Sequence, residues 1–253
     1  MMGLSRCFNL PALALLLCVA GCFNGKHSPS LSGEEGAGRD ARGIVGASRG
    51  VLAPVYAPLA EQIVSDFDLS EKEGIGIDLG SGPGTLIVEL CEHTRLHWIN
   101  ADIDPNVFAR FYRLAEQRGF GSRVSAMFAD AHALPFHDDY ADIIVSRGSF
   151  HFWDDKVRAF GEIYRVLKPG APAFIGRGFS ANLPVETARA IRAKQSDKMK
   201  YDVDKAADEL YDVMNALRIR EFKIHRPQPP GSEGVNYGVW VEFRKPQADK
   251  NVK

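Results

Sequence analysis

The sequence of 253 residues has few cysteines, and three of the four, Cys7, Cys18 and Cys22, fall within its first 22 positions. The rest of the chain therefore has neither a disulfide framework nor the paired cysteine and histidine spacing of a zinc site. The remaining cysteine, Cys91, follows Leu90 in an apolar helical stretch. That setting predicts a buried packing thiol. No metal site is expected.

An excess of positive charge is also lacking. The chain has 31 basic and 32 acidic residues, for a formal net charge of -1. Nucleic-acid binding needs a concentrated positive face, so this balance disfavours DNA or RNA as a partner or substrate.

The N-terminal segment lacks the length of a membrane-spanning helix. An apolar run covers residues 8–21 after Arg6, which is shorter than the roughly 20 residues that a span requires but suits a signal peptide. The run ends in Val-Ala-Gly-Cys22, which resembles a bacterial lipobox, whose cysteine is acylated. We therefore expect residues 1–22 to be a signal peptide with a lipid attachment site at Cys22. Residues 23–50 are rich in glycine, serine and charge, which predicts a flexible linker.

From residue 51 to residue 248 short apolar strands alternate with amphipathic helices, the pattern of βαβ units. The expected fold is α/β: a Rossmann-like, doubly wound, mostly parallel seven-stranded sheet with helices on both faces and an antiparallel last strand. The predicted strands are 75–79, 97–101, 124–128, 141–145, 171–175, 221–225 and 237–244. The predicted helices are 54–67, 85–93, one capped by Asp104 and ending at Gly119, one capped by Asp154 or Asp155, 183–195 and 205–217.

A glycine-rich turn stands where the first strand gives way to a helix. Its sequence is Asp78-Leu-Gly-Ser-Gly-Pro-Gly-Thr85, and glycines there let backbone amides and the helix N-terminus approach a ligand closely. Asp102 ends the next strand about twenty residues later, where an acidic side chain can accept hydrogen bonds from both ribose hydroxyls. An N-cap role for Asp102 is less favoured, because Asp104 fits that position better. The two features together indicate a nucleoside-containing ligand.

The third glycine of the nicotinamide fingerprint G-x-G-x-x-G is missing, because Thr85 occupies its position. That spacing disfavours a nicotinamide-dependent oxidoreductase. Two alternatives to an enzyme acting on another nucleoside cofactor remain open: such an oxidoreductase, and a lipid-anchored nucleoside-binding module without turnover.

Four segments in order resemble the motifs of class I S-adenosylmethionine-dependent methyltransferases. They are the glycine turn, Ala-Asp102-Ile-Asp-Pro, Ala-Asp130-Ala-His-Ala-Leu-Pro-Phe and Val-Leu-Lys168-Pro-Gly. The similarity covers roughly residues 51–177 and is nearest to the methyltransferase type 11 branch that includes ubiquinone and menaquinone biosynthesis enzymes. The chain lacks the Asn/Asp-Pro-Pro-aromatic motif of enzymes that methylate nucleic-acid bases, so the resemblance implies a small-molecule methyl acceptor.

The resemblance also implies a role for each matching position, with S-adenosyl-L-methionine as the cofactor. Asp78 would support the methionine amino group, Asp102 would hold the ribose, and Asp130 would hold the adenine amino group. The full set of predicted cofactor-binding residues is Asp78, Gly80, Gly82, Gly84, Asp102, Ile103, Asp130, Ala131 and Ser146. Tyr56 would lie across the cofactor or pack within its helix. His132 and His137 have no metal-ligand partner spacing and are expected at the surface.

The segment after the fourth strand is the candidate for the acceptor side, because ligands of doubly wound folds bind at the carboxyl ends of strands. Arg147 would bind an anionic acceptor or the cofactor carboxylate, and His151 would act as a general base. The alternative is that Phe152 and Trp153 pack the following helix and hydrogen bonds simply satisfy His151.

These features predict methyl transfer to a small molecule by a membrane-anchored lipoprotein. S-adenosylmethionine is made and kept inside cells, so an exported methyltransferase would lack its donor. The alternative location is therefore cytoplasmic, with residues 8–21 as a fortuitous apolar leader.

Overall fold

The computed structural model of the protein describes residues 50–195 and 202–247. It has a seven-stranded sheet with the strand order β3-β2-β1-β4-β5-β7-β6. The strands are β1 Ile75–Leu79, β2 His97–Asp102, β3 Val124–Phe128, β4 Ile143–Arg147, β5 Pro172–Gly178, β6 Phe222–His225 and β7 Gly238–Arg244. The helices are α1 Tyr56–Asp66, α2 Thr85–His93, α3 Phe108–Gln117, α4 Lys156–Val166, α5 Val185–Gln195 and α6 Val203–Ala216.

Strand direction follows the predicted scheme. The neighbours among β1 to β5 pair in parallel, and β7 pairs antiparallel with both β5 and β6. The predicted fold class is confirmed, including the antiparallel last strand. The two closing strands pair with each other, and β7 lies between β5 and β6.

Two hydrophobic layers cover the two faces of the sheet because strand residues alternate in direction. Ile144 faces the layer built with α4 and α6, whereas its neighbours Ile143 and Val145 face the layer built with α1, α2 and α3. Fully buried side chains of this kind each contribute about 1.5–3 kcal/mol relative to exposure. Helices cover both faces of the sheet. The carboxyl ends of the parallel strands all lie at one edge, which these helices leave open.

A third, smaller cluster joins α5 to the ends of the sheet. Val55 lies in a short 3₁₀ helix before α1 and packs with Phe179, Leu183, Ile191 and Tyr237. Among the helices of the described ranges, none has both the length and the apolar character that crossing a membrane would require.

Several local predictions are confirmed, and the fourth and fifth strands differ from their predicted bounds. Asp104 and Asp155 are N-caps whose side chains accept from Asn106 N and Arg158 N. Cys91 is buried, and burial raises its pKa to about 11, as a packing thiol requires. The predicted fourth strand is displaced by two residues, and the fifth is longer than predicted.

Candidate active site

The glycine turn between β1 and α2 has the backbone conformation that its sequence predicts. Gly80, Gly82 and Gly84 have φ values of 69°, 57° and 74°, in the left-handed region that side chains other than glycine rarely adopt. Ser146 Oγ and Ser149 Oγ both donate to the carbonyl of Leu79, at 2.7 and 3.0 Å. The turn is thus supported from the neighbouring strand β4 and presents a bare backbone at the carboxyl edge of the sheet.

Two side chains of β2 fix the middle glycine of that turn. Gly82 N donates to Asp102 Oδ2 at 2.7 Å, and Asn100 Nδ2 donates to Gly82 O at 3.0 Å. Asp104 N donates to Asp102 Oδ1 at 2.9 Å. A carboxylate offers about four acceptor positions, so Asp102 retains capacity to accept from a further donor. The arrangement suits a ribose with two adjacent hydroxyls.

Asp78 lies beneath the turn and is 2% exposed. Burial raises the pKa of its carboxyl to about 7, and the nearby charge of Asp102 acts in the same direction. Ser81 Oγ donates to Asp78 Oδ2 at 2.6 Å and opposes that rise. A positively charged amino group arriving beside Asp78 would favour its ionised form.

The raised pKa predicts a pH-dependent affinity for S-adenosylhomocysteine. Below pH 7 the unliganded protein holds a proton on Asp78 that ammonium binding must displace, so affinity should fall as pH falls, by up to about tenfold per unit. Calorimetry between pH 5.5 and 8 would measure this, and Asp78→Asn should bind more weakly with a flat profile. An Asp78→Asn profile as steep as that of the unmodified protein would contradict the assignment.

Asp130 lies in the loop after β3, where Ala129 N donates to the carbonyl of Asp102 at 3.0 Å, and Ile103 follows Asp102 at the end of the neighbouring strand β2. The Asp130 side chain is 47% exposed, and Ile103 is 62% exposed. Hydrogen bonds from the backbone and ring of His132 lower the pKa of Asp130, so its carboxylate is ionised at neutral pH. Ala131 is nearly buried, at 7%. An exposed aliphatic side chain and an exposed carboxylate that follow neighbouring strands suit a flat polar ring such as adenine.

Arg147 ends β4 and contacts the first helix. Its guanidinium lies 5.0 Å from the centre of the Tyr56 ring, and Nη1 is 3.5 Å from the Tyr56 hydroxyl. Its buried Nε has no hydrogen-bond partner among the described residues. Arg147 also acts on Asp78 through its charge, lowering that residue's pKa. Tyr56 therefore lies on the Arg147 side of the site.

His151 lies in the 3₁₀ helix Phe150–Phe152 that follows β4. Burial lowers its pKa to about 4, and the positive charges of Arg177 and Lys156 add to that effect. Its ring is therefore neutral at pH 7, and its buried Nδ1 bonds to none of the described residues. Trp153 packs at 7% exposure, as the packing alternative expects, but Phe152 is 57% exposed.

Three polar residues of the site were missed or misjudged from sequence. Asn100 is a fully buried polar residue two positions before Asp102, and this spacing on an apolar strand was the available signal. The role of Ser149 in supporting the turn could not be predicted from its neighbours in the sequence, because the carbonyl it donates to, that of Leu79, is 70 residues away. His132 was expected at the surface, but it is partly buried: its side chain is 23% exposed and bonds to Asp130.

Ser146 was predicted to bind cofactor, but its side chain is already engaged within the protein. It is 1% exposed, and its hydroxyl is engaged with Leu79 O and with Ser149 Oγ. A cofactor contact at this position would therefore involve the main chain.

A separate cavity of about 620 Å³ lies against α5 and contains none of the predicted site residues. Its lining includes Val51, Pro54, Ile191 and Lys194. In residues 50–195 and 202–247, no group of three or more His, Cys, Asp or Glu side chains is placed to hold a metal ion.

Comparison with known proteins agrees with this geometry. Residues 77–175 match a family model described as a methyltransferase domain. A demethylmenaquinone methyltransferase of Thermus thermophilus is 39% identical over 95 residues, which are 37% of this chain and 42% of that protein. A chloroplastic 2-methyl-6-phytyl-1,4-hydroquinone methyltransferase of Arabidopsis thaliana is 34% identical over 107 residues, 42% of this chain and 30% of that one. The chain thus spans less than half the length of either relative.

Among solved structures, a Methanococcus maripaludis protein provisionally assigned to the S-adenosyl-L-methionine-dependent methyltransferases superposes with a TM-score of 0.73. It is 27% identical, and the match covers 88% of this chain and all of that one. The predicted likeness to methyltransferase domains is thus confirmed for residues 77–175, and the predicted fold is confirmed as well.

Proposed function

We propose that the protein transfers the methyl group of S-adenosyl-L-methionine to a small-molecule acceptor. The observation that carries this proposal is the turn of three left-handed glycines whose centre, Gly82, is held by the Asp102 carboxylate. Such a turn accommodates an amino-acid tail along its backbone while Asp102 keeps acceptor capacity for a ribose. The predicted role of each cofactor-binding residue is part of this proposal.

The bound donor supplies an electrophilic methyl group on a positively charged sulfur. In the transfer the sulfur–methyl bond breaks, a bond from the acceptor nucleophile to that carbon forms, and the acceptor loses a proton. The chain's own residues would align the two reactants, and alignment alone can lower a barrier by about 7 to 11 kcal/mol in favourable models. No covalent intermediate on the protein is needed.

The acceptor side, in this proposal, lies around Arg147 and His151. Burial, with the positive charge of Arg177 and Lys156 adding to it, keeps His151 neutral, and the same charge would lower the pKa of an acceptor hydroxyl nearby. A neutral His151 can accept that proton as a general base, although its pKa of about 4 makes it a weak one at pH 7. This electrostatic setting suits an acceptor hydroxyl that reacts after losing its proton. The resulting anion can react at its oxygen or, in its enolate form, at a carbon.

Hydroquinones are the first acceptors to test, because the names of two relatives specify quinone-type substrates. The experiment incubates the protein with methyl-labelled S-adenosylmethionine and a panel of hydroquinones that differ in ring substitution and tail length. We expect labelled product together with an equal amount of S-adenosylhomocysteine. Donor binding without product from any panel member or from cell extract would instead favour a binding module.

We further propose that the protein is a lipoprotein anchored to a membrane through Cys22, which lies outside the described residues. The support is the lipobox-like sequence before Cys22 and the apolar run before it. Mass spectrometry of the native N-terminus should find an acylated Cys22 as the first residue, and Cys22→Ala should release the protein from membranes. An unprocessed N-terminus on a protein in the cytosolic fraction would support the alternative location.

A further inference from the structure

His132 connects the predicted adenine site to the predicted acceptor side, and the proposed function gives it no role. Asp130 Oδ1 accepts two hydrogen bonds from this residue, one from the backbone N at 2.9 Å and one from ring Nδ1 at 2.7 Å. On the other side of the ring, Nε2 lies 3.3 Å from Asp155 N. Asp155 is the N-cap of α4, which follows the segment containing Arg147 and His151.

The partners of the ring determine which nitrogen carries the proton. Asp155 N is a donor, so Nε2 must be unprotonated to accept from it. Nδ1 then carries the hydrogen and donates to Asp130 Oδ1. The two bonds together specify the neutral Nδ1–H form of His132.

This bonding pattern orients the Asp130 carboxylate. Oδ1 is occupied by the two donors from His132, whereas no hydrogen bond from the described residues reaches Oδ2. The Asp130 side chain is 47% exposed, so Oδ2 is the oxygen available to a ligand. An ionised carboxylate held this way can accept from an exocyclic amino group but offers no donor to an exocyclic oxygen.

We propose that His132 is a positioning residue that sets the preference of this site for a 6-aminopurine. By holding Oδ1, it directs Oδ2 towards the amino group of the base. The inference rests on the proposed function, and in particular on the adenine role of Asp130. It adds that the preference for the amino group depends on the ring of His132.

The experiment compares S-adenosylhomocysteine with its analogue that lacks the purine amino group. For each variant the ratio of the two dissociation constants is measured by calorimetry. The unmodified protein should favour the amino compound by about tenfold or more, because a hydrogen bond to a charged acceptor has roughly that effect. The ratio isolates recognition of the amino group, since a general loss of loop structure weakens both ligands alike.

Two conservative variants separate the two bonds of the ring. The amide of asparagine reaches the position of Nδ1, so His132→Asn keeps a donor for Asp130 and should retain most of the ratio. The amide of glutamine reaches the position of Nε2, so His132→Gln keeps an acceptor for Asp155 N and should lose most of it. In an Asp130→Ala background, His132→Gln should have no further effect on the ratio.

The outcomes are distinguishable. A ratio that stays near tenfold in His132→Gln overturns the proposal and leaves His132 as a structural link between the loop and α4. An unmodified protein that binds both ligands equally overturns it too, by removing the role of Asp130, but leaves donor binding intact. An unmodified protein that binds neither ligand refutes the proposed function itself.

Discussion

Replacing Asp102 by alanine is expected to weaken S-adenosylhomocysteine binding by at least about 100-fold while the domain stays folded. Each ribose hydroxyl would lose a hydrogen bond to a charged acceptor, and such bonds contribute about 1.5–3 kcal/mol apiece. Gly82 N and Asp104 N would lose their acceptor as well, which should loosen the glycine turn. Calorimetry measures the affinity, and urea unfolding measures the stability.

Asp104 supplies the matched control for this substitution. It is a carboxylate only two residues away, and its side chain caps the short helix that begins at Pro105. Asp104→Ala should therefore lower stability by about 1 kcal/mol, the usual effect of losing a cap, and change affinity by no more than a few fold. If Asp102→Ala bound the ligand as well as Asp104→Ala does, the ribose assignment would be wrong.

The second large effect is expected at Gly84. A Cβ there would lie 2.0 Å from Cδ2 of the fully buried Phe111, and the φ of +74° is unfavourable for alanine. Left-handed backbone costs about 1–2 kcal/mol for an L-residue, and overpacking a core costs about 1–3 kcal/mol more. Gly84→Ala should therefore lose about 2–5 kcal/mol in the free energy of unfolding and most of its ligand affinity.

Gly119→Ala isolates the backbone component of that loss. Gly119 follows α3 with a φ of +81°, and no atom of the described residues lies within 4 Å of the place that a Cβ would take. Both substitutions change the unfolded chain equally, so Gly119→Ala should lose only about 1–2 kcal/mol and leave ligand binding intact. Equal losses in the two variants would mean that Phe111 moves aside and the turn does not depend on its close packing.

The sequence predicts best those elements whose limits are set locally. The bounds of β1, α2 and β3 agree with prediction, because each is an apolar run between turn or polar residues. The fourth strand was placed at 141–145, but Ala141 forms only an isolated bridge with Leu167. The strand instead continues to Arg147, which pairs with Gly176 of β5. Ladder pairing with a distant strand decided these limits, and hydrophobicity alone cannot reveal it.

The site likewise contains residues that could be predicted from local sequence and residues whose contacts depend on distant parts of the chain. The glycine turn and Asp102 could be predicted because their positions at the ends of strands follow from the order of elements. The bonds of Asn100 to Gly82 and of Ser149 to Leu79 join residues 18 and 70 positions apart. His132 was judged by its spacing to other metal-ligand residues, whereas its structural partners are a carboxylate and a helix N-terminus. Contacts of this kind depend on tertiary packing.

The most direct test of the account is a crystal structure of the protein with S-adenosylhomocysteine. The claim to be tested is that the glycine turn and the ends of β2 and β3 form one nucleoside site. Both ribose hydroxyls should lie within about 2.6–3.2 Å of the Asp102 carboxylate, with the homocysteine along residues 80–84 and the adenine amino group beside Asp130. A ligand in the cavity beside α5, or with its ribose away from Asp102, would contradict it.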